Sequence, residues 1–350
     1  MKNLKFITAI LLLTLFGFTS CQDNDDNVVE ENPDANSSNS LTAKNLERSS
    51  MYNGSFDDFL DGNSCASIIL PATATVNGTE VSLTSEADYQ TVLDILAEYN
   101  NDEDTVVLHF PISVNISNYT QVEIVNQTEY DLLLSACSQA ESAATNAINC
   151  LAIDYPITLA TYNINFQKTG SIVLESNEAL YTYISNLDNT QLFSVNYPIS
   201  ATVNGETVIS ISSDLDLKTK ISECIAIEDD KESAKENAKA LETILVEGAF
   251  KIQSFIHDNI EKTEDYANYT IEYAGNLTCE ATNTAITGID TIEGTYNVTS
   301  QIEVYVNLNF SGNASFELLN NSWEITSYSQ SSISLKSTTN TAATLVLAQI

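Results

Sequence analysis

The sequence predicts an α+β protein. It reads as tandem two-layer units, each ββαββα with a four-stranded antiparallel sheet and two helices, followed by a mostly antiparallel β-barrel or sandwich domain. Three observations carry this. A frame of uncommon residues occurs twice, as Cys65, Pro71, Pro111, Cys137 and again as Cys150, Pro156, Pro198, Cys224, offset by 85 to 87 positions. Inside each frame, alternating apolar stretches lead repeatedly into helix starts. After Gly248 the apolar pattern keeps a period of two nearly to the end. The 350 residues allow two or three domains with cores of their own, and an apolar content of 43% suits a folded chain.

Residues 1–20 read as a signal peptide. Lys2 and Lys5 precede an apolar run from Phe6 to Phe18, then small residues, then Cys21. The run is shorter than the roughly 20 residues of a spanning helix. Phe18-Thr19-Ser20-Cys21 resembles a bacterial lipobox, with Phe18 where Leu is usual. That resemblance implies cleavage before Cys21, lipidation of its thiol and new amino group, and anchoring by several acyl chains. The following Asp23, Asp25 and Asp26 resemble the acidic tether that sends Bacteroidetes lipoproteins to the outer face of the outer membrane. Residues 21–63, rich in Asn, Asp and Ser, read as a lipid-anchored flexible acidic linker with a short helical patch at 55–61.

Residues 64–149 and 150–228 are the two units. Each proline follows an apolar run, and alternating strand residues follow each proline, as with Ile112, Val114 and Ile116. Asn77-Gly78 and Asn204-Gly205 are hairpin turns, each six residues after its proline. Looser turns fall near Asn118 and at Lys168-Thr169-Gly170. Ser85, Thr128, Ser176 and Ser213 are candidate helix N-caps, each with an acid within three residues. Tyr89, Val92, Leu93 and Leu96 form a core-facing stripe. A proline inside a strand removes a ladder donor, so each belongs at an edge or a kink.

Of the six cysteines, Cys21 is assigned to lipid. Treating the two units alike pairs Cys65 with Cys137 and Cys150 with Cys224, which suits an exported protein; four buried thiols are the alternative. Cys279 is left over and reads as a buried thiol, with a nucleophile or an intermolecular bond as the other options.

Residues 229–247 read as a connecting helix with Ala238, Leu241, Ile244 and Leu245 on one side. Strand candidates follow at 249–256, 267–273, 276–283, 293–299, 301–310, 314–319, 322–329, 331–336 and 343–349. The run from Phe250 to Thr263, with Tyr269-Thr270-Ile271, Leu308-Asn309-Phe310, Leu318 to Ile325, Ile333-Ser334-Leu335 and Leu345-Val346-Leu347, resembles the lipocalin-like domains of Bacteroidetes lipoproteins. Phe250 stands where those domains usually carry Trp. The resemblance, over residues 248–350, implies a small barrel and a ligand-binding capacity. Small barrels are usually filled by their own side chains, which makes Trp323 a core residue.

The charge is lopsided. Of 13 basic residues, Lys2 and Lys5 fall in the leader, leaving 11 against 48 acidic ones. Such a field repels nucleic acid and anionic membrane faces and suits cations, basic partners or a saline habitat, with plain solubility as the ordinary explanation. His109 and His257 are the two histidines, and neither has a second His or a free Cys at ligand spacing. No nucleophile elbow, P-loop or dinucleotide fingerprint occurs. Asp104-Thr105-Val106 and Asp290-Thr291-Ile292 resemble Bacteroidetes O-glycosylation sites or are simple strand starts. The expectation is a lipid-anchored outer-membrane, cell-surface protein with a non-catalytic binding or scaffolding role. It would use no cofactor or metal, bind no nucleic acid, and reach the membrane through its anchor. The alternatives are a barrel carrier for a small apolar ligand or glycan fragment, and a carboxylate-dependent glycan hydrolase.

Overall fold

A computed structural model describes residues 31–97, 104–285 and 291–350. The protein is mixed α and β, with a closed eight-stranded antiparallel barrel at its C-terminal end. Cys21 and the expected signal peptide at 1–20 lie outside the described residues.

Much of the expected linker is ordered. Helix α1 (Leu41–Ser49) starts at Ser40, whose hydroxyl accepts from the Ala43 N–H at 3.0 Å. Its Ala43 and Leu46 are fully buried in the core of the second unit. Ahead of it, the Asn36 N–H donates to the Phe193 carbonyl at 2.6 Å. Behind it come a 3-10 turn (Ser55–Asp57) and the short helix α2 (Asp58–Asp61), which lie on the first unit. Residues 31–63 therefore form a strap across both units. Apolar side chains at i and i+3 fix it, a short signal among so many polar neighbours.

The first unit contains β1 (Ala66–Ile69), β2 (Ala72–Val76), β3 (Thr79–Leu83), α3 (Tyr89–Leu96), β4 (Val106–Leu108), β5 (Ile112–Ile116), β6 (Gln121–Ile124) and α4 (Gln127–Ser142). The second contains β7 (Leu151–Ile153), β8 (Ile157–Asn163), β9 (Lys168–Leu174), α5 (Asn177–Ser185), β10 (Gln191–Val195), β11 (Ile199–Val203), β12 (Thr207–Ile211) and α6 (Asp214–Glu247). The expected four-stranded sheets do not form. The strands make four three-stranded sheets, ordered β3-β2-β4, β1-β5-β6, β10-β8-β9 and β12-β11-β7. Within a unit, each hairpin receives as its third strand the one that precedes the other hairpin. Pro71, Pro111, Pro156 and Pro198, all following cis peptide bonds, stand where the chain passes from one sheet to the next. A residue without an N–H cannot continue the ladder, so the prolines separate strands instead of kinking one strand.

The hairpin turns at Asn77-Gly78 and Asn204-Gly205 have positive φ at both residues, 46° and 80° and then 52° and 70°. Lys168-Thr169-Gly170 is strand; the turn lies earlier, at Phe166 (φ 62°). Ser85, Ser176 and Ser213 cap helical segments, but Asn126 caps α4 in place of Thr128, accepting from the Glu129 N–H at 3.0 Å. Tyr89 and Val92 of α3 are buried, whereas Leu93 faces outward. Cys65 bonds Cys137, and Cys150 bonds Cys224.

Helix α6 is one 34-residue element, not a unit helix followed by a separate connector. No Gly or Pro interrupts residues 214–247, so nothing stops it. Its first half places Leu217, Ile221 and Cys224 in the second unit's core, and its second half places Ala234, Ala238, Leu241 and Leu245 in the barrel's core.

The barrel comprises β13 (Ala249–His257), then, after the two-residue side strand β14 (Ile260–Glu261), β15 (Tyr269–Tyr273), β16 (Thr278–Asn283), β17 (Thr291–Ser300), β18 (Val304–Phe310), β19 (Asn321–Ser329), β20 (Ser332–Ser337) and β21 (Thr344–Gln349). It closes where β13 pairs with β21, from Phe250↔Gln349 to Ile256↔Thr344. The strand expected at 314–319 is a 3-10 turn (Phe316–Leu319).

Candidate functional site

The barrel comes first, because the carrier expectation placed a ligand there. Its interior is occupied by its own side chains. Phe250, Phe255, Tyr266, Phe310, Phe316 and Trp323 are each at most 1% exposed. Edge-to-face contacts link Phe255 to Tyr266, Tyr266 to Phe316 and Phe316 to Phe310, with ring centroids 5.2–5.5 Å apart. The Trp323 Nε1–H donates to the Leu319 carbonyl at 2.8 Å, which satisfies the indole's one polar atom. At the end where β13 begins, α6 packs across β15, β17 and β18, and the Tyr328 hydroxyl donates to Asn237 Oδ1 at 2.7 Å.

The sequence candidates do not assemble into a catalytic set. His109 Nε2 pairs with the Thr75 hydroxyl at 2.8 Å on the first unit, and His257 lies 3.6 Å from Asp258 in the barrel domain. Cys279 is buried among apolar groups, which pushes its thiol up to about 12 and keeps it protonated. Thr105 is tied by its N–H to Asn77 Oδ1 at 2.8 Å, as a strand start beside the hairpin turn. Asp290 lies outside the described residues. No helix among the described residues is long and apolar enough to cross a membrane.

The unusual chemistry sits in the strap, over the first unit. Gly54 lets the chain pass against β1, since a Cβ there would meet the Ala66 carbonyl oxygen at 2.0 Å. The 3-10 turn and α2 then bring Asp57, Asp58 and Asp61 inward, and Gly62 (φ 72°) turns the chain toward Asn63 and Cys65. Asp57 Oδ2 accepts the Ile68 N–H at 2.7 Å, Asp58 Oδ2 accepts the Ser64 hydroxyl at 2.6 Å, and Asp61 Oδ1 accepts the Asn63 N–H at 3.1 Å. Tyr130 of α4 donates to the Asp61 main-chain carbonyl at 2.5 Å.

Each carboxylate keeps one oxygen buried without a hydrogen-bond partner: Asp57 Oδ1, Asp58 Oδ1 and Asp61 Oδ2, joined by Asn63 Nδ2. Asp57 is fully buried and Asp61 is 7% exposed. Burial disfavours their charged forms and pushes Asp57 up to about 6, the Ile68 N–H opposing and the Asp58 charge adding. It pushes Asp61 up to about 8, with the Asp57 and Asp58 charges adding to it. Burial also raises Asp58, against the Ser64 bond and the nearby Lys235 of α6. Asp61 lines a pocket of about 120 Å³, bordered by Leu60, Val106, Leu108, Gln127 and Tyr130.

This cluster falls within the stretch expected to be flexible. The signal available in the sequence was compact: three Asp and an Asn within seven residues, spaced around a glycine and followed by a disulfide cysteine. No protein-family model, no curated protein and no solved structure matches this chain.

Proposed function

We propose that the protein is a lipid-anchored outer-membrane lipoprotein of the Bacteroidetes type, exposed at the cell surface, with a non-catalytic scaffolding or binding role. The observation that carries the scaffold is α6, whose two halves lie in two different cores and couple the second unit to the barrel without a loop. A presenting module gains from such stiffness, whereas a carrier needs an open interior, and this barrel is packed with aromatic rings. The lipobox-like Phe18-Thr19-Ser20-Cys21 supports the anchor, and the two disulfides suit an exported chain.

Residues 64–228 are a tandem duplication. Four successive runs of three strands and a helix, with an Asn-Gly hairpin turn in the first and the last, support it. The barrel is lipocalin-like in architecture and structural in role.

Cells expressing the protein, treated with a protease that does not enter them, should lose the barrel epitope. Cys21→Ser should move the protein from the membrane to a soluble fraction. Protection from the protease in intact cells, or an unchanged membrane fraction for Cys21→Ser, would contradict the proposal.

A further inference from the structure

We propose that the hairpin tip Ile164-Asn165-Phe166 is a membrane-contact site, dipping into the lipid surface to which the protein is anchored and so setting how the protein stands on it. This rests on the anchored reading given above.

The tip joins β8 to β9 in the second unit and shows two apolar side chains to solvent, Ile164 at 59% and Phe166 at 38% exposure. Neither belongs to a described hydrophobic core. Single exposed apolar residues are ordinary, whereas two together on a protruding turn form a patch. From Tyr155 to Gln167 the chain carries no charge, in a protein with 48 acidic residues. Lys168 and Glu31, the latter bridged to Gln167, border the tip with one charge of each sign.

The backbone of the tip is not what an aromatic residue favours. Phe166 has φ 62°, a left-handed conformation that the two Asn-Gly turns give to Gly78 and Gly205. Tyr119, at φ 66° in the first unit, has a packing reason to be aromatic: its ring meets Tyr52 edge-on at 5.7 Å and its hydroxyl donates to the Ser50 carbonyl at 2.8 Å. Phe166 packs into no core that would explain it. The polar groups of the turn are satisfied internally. The Asn163 N–H donates to the Gln167 carbonyl and the Phe166 N–H to the Asn163 carbonyl, both at 2.9 Å. Asn163 Oδ1 accepts the Asn165 N–H at 2.9 Å and the Gln167 N–H at 3.1 Å. A turn with its N–H groups already paired leaves water at lower cost.

The course of the strap names the occupant. Asn36 pairs with Phe193, Ala35 packs on Ala160, Tyr162 and Leu192, and the Asn32 N–H donates to the Phe166 carbonyl at 3.0 Å. Followed toward Cys21, the chain thus runs along the sheet to its tip. Cys21 precedes Glu31 by ten residues, which reach at most about 36 Å when fully extended. A lipid on Cys21 therefore holds this tip close to the membrane and raises its effective concentration there. An acidic chain is repelled by anionic headgroups, so the surface that fits is zwitterionic lipid met through apolar side chains.

The test uses the chain from Cys21 onward, coupled through that thiol to a maleimide lipid in phosphatidylcholine vesicles. The other cysteines are disulfide-bonded or, like Cys279, buried. Chemical coupling makes the result independent of native lipidation, which the mass of the native protein tests separately. Trp323 is buried in the barrel, so Phe166→Trp adds an indole that reports the tip. With brominated acyl chains it should lose at least about half of its added emission and shift to the blue, since interfacial side chains sit about 5–10 Å into the headgroup and acyl boundary. Ile302→Trp, exposed on the barrel, should keep its emission. In solution Phe166→Gly should melt within about 3 °C of the parent or above it, because the left-handed position favours glycine. An unquenched Phe166→Trp would overturn the proposal; if the chain then dimerises in sedimentation and Phe166→Gly abolishes the dimer, the tip is a contact between copies. Equal quenching of Ile302→Trp would overturn it as undirected contact. A Phe166→Gly variant melting well below the parent would overturn it by making Phe166 a packing residue.

Discussion

Leu241→Ala tests whether α6 belongs to the barrel. Leu241 is fully buried and sits in the barrel's core with Ala234, Ala238 and Leu245, which share its helix face. The change removes three carbons from a site walled by the helix backbone and by strands of a closed sheet, neither of which collapses readily. Buried Leu→Ala substitutions cost 2–5 kcal/mol, and a site this confined belongs in the middle of that range, about 3 kcal/mol. Trp323 is the only tryptophan and is buried in the barrel, so its fluorescence reports barrel unfolding alone. In a urea titration the barrel transition should shift to a lower midpoint by an amount equivalent to about 3 kcal/mol, with little change in slope. Lys231→Ala, on the exposed face of the same helix, should shift it by less than about 0.5 kcal/mol. An unchanged midpoint for Leu241→Ala would mean that the helix does not pack on the barrel in solution, and the rigid coupling would be lost with it.

Three further outcomes are expected. Replacing Cys150 and Cys224 together by Ser opens a loop closed over 74 positions and should destabilise the second unit by about 4 kcal/mol in the chain-entropy model, read by circular dichroism during denaturation; a loss under about 1 kcal/mol would refute the link. Gly54→Ala drives a methyl into the Ala66 carbonyl and should cost about 1–3 kcal/mol or more, detected as faster proteolysis of residues 50–64; unchanged proteolysis would refute the close crossing of the strap. Glu242 of α6 is pushed up to about 7 by burial, so the folded state binds its proton more tightly than the unfolded chain. Its contribution leaves stability untouched below about pH 4.5, erodes it as pH rises toward 7, and is fully unfavourable above, by at most about 3 kcal/mol before solvent screening. Glu242→Gln should therefore melt above the parent at pH 8 and alongside it at pH 4, and equal melting at both values would refute the shift.

The sequence is most legible where local chemistry dictates local geometry. Asn-Gly demands positive φ, serine hydroxyls cap helices, and period-two alternation marks a sheet with one buried face; the two Asn-Gly turns, three of the four caps and the barrel strands other than the one expected at 314–319 followed from these. Sheet membership was not legible, because β1 and β4 pair with strands about 30–50 residues away and nothing at Pro71 or Pro111 states which edge the next strand joins. The continuity of α6 was hidden by its change of burial. One half faces the second unit and the other the barrel, so no single apolar stripe runs its length. The strap was hidden by composition. Two buried apolar side chains in α1, Ala43 and Leu46, hold it among residues that otherwise read as solvent-facing. The acid cluster was hidden for the same reason, since Asp57, Asp58 and Asp61 among 48 acidic residues are inconspicuous until the burial of Asp57 and Asp61 is seen.

The anchored, disulfide-built scaffold is tested most directly by the intact mass of the protein taken from native membranes, with thiol alkylation under denaturing conditions before and after reduction. The account predicts a chain beginning at Cys21 and carrying a lipid mass. It predicts one alkylatable thiol, Cys279, before reduction, and four more afterwards, from Cys65, Cys137, Cys150 and Cys224. A mass without lipid, or five thiols open to alkylation without reduction, would contradict it.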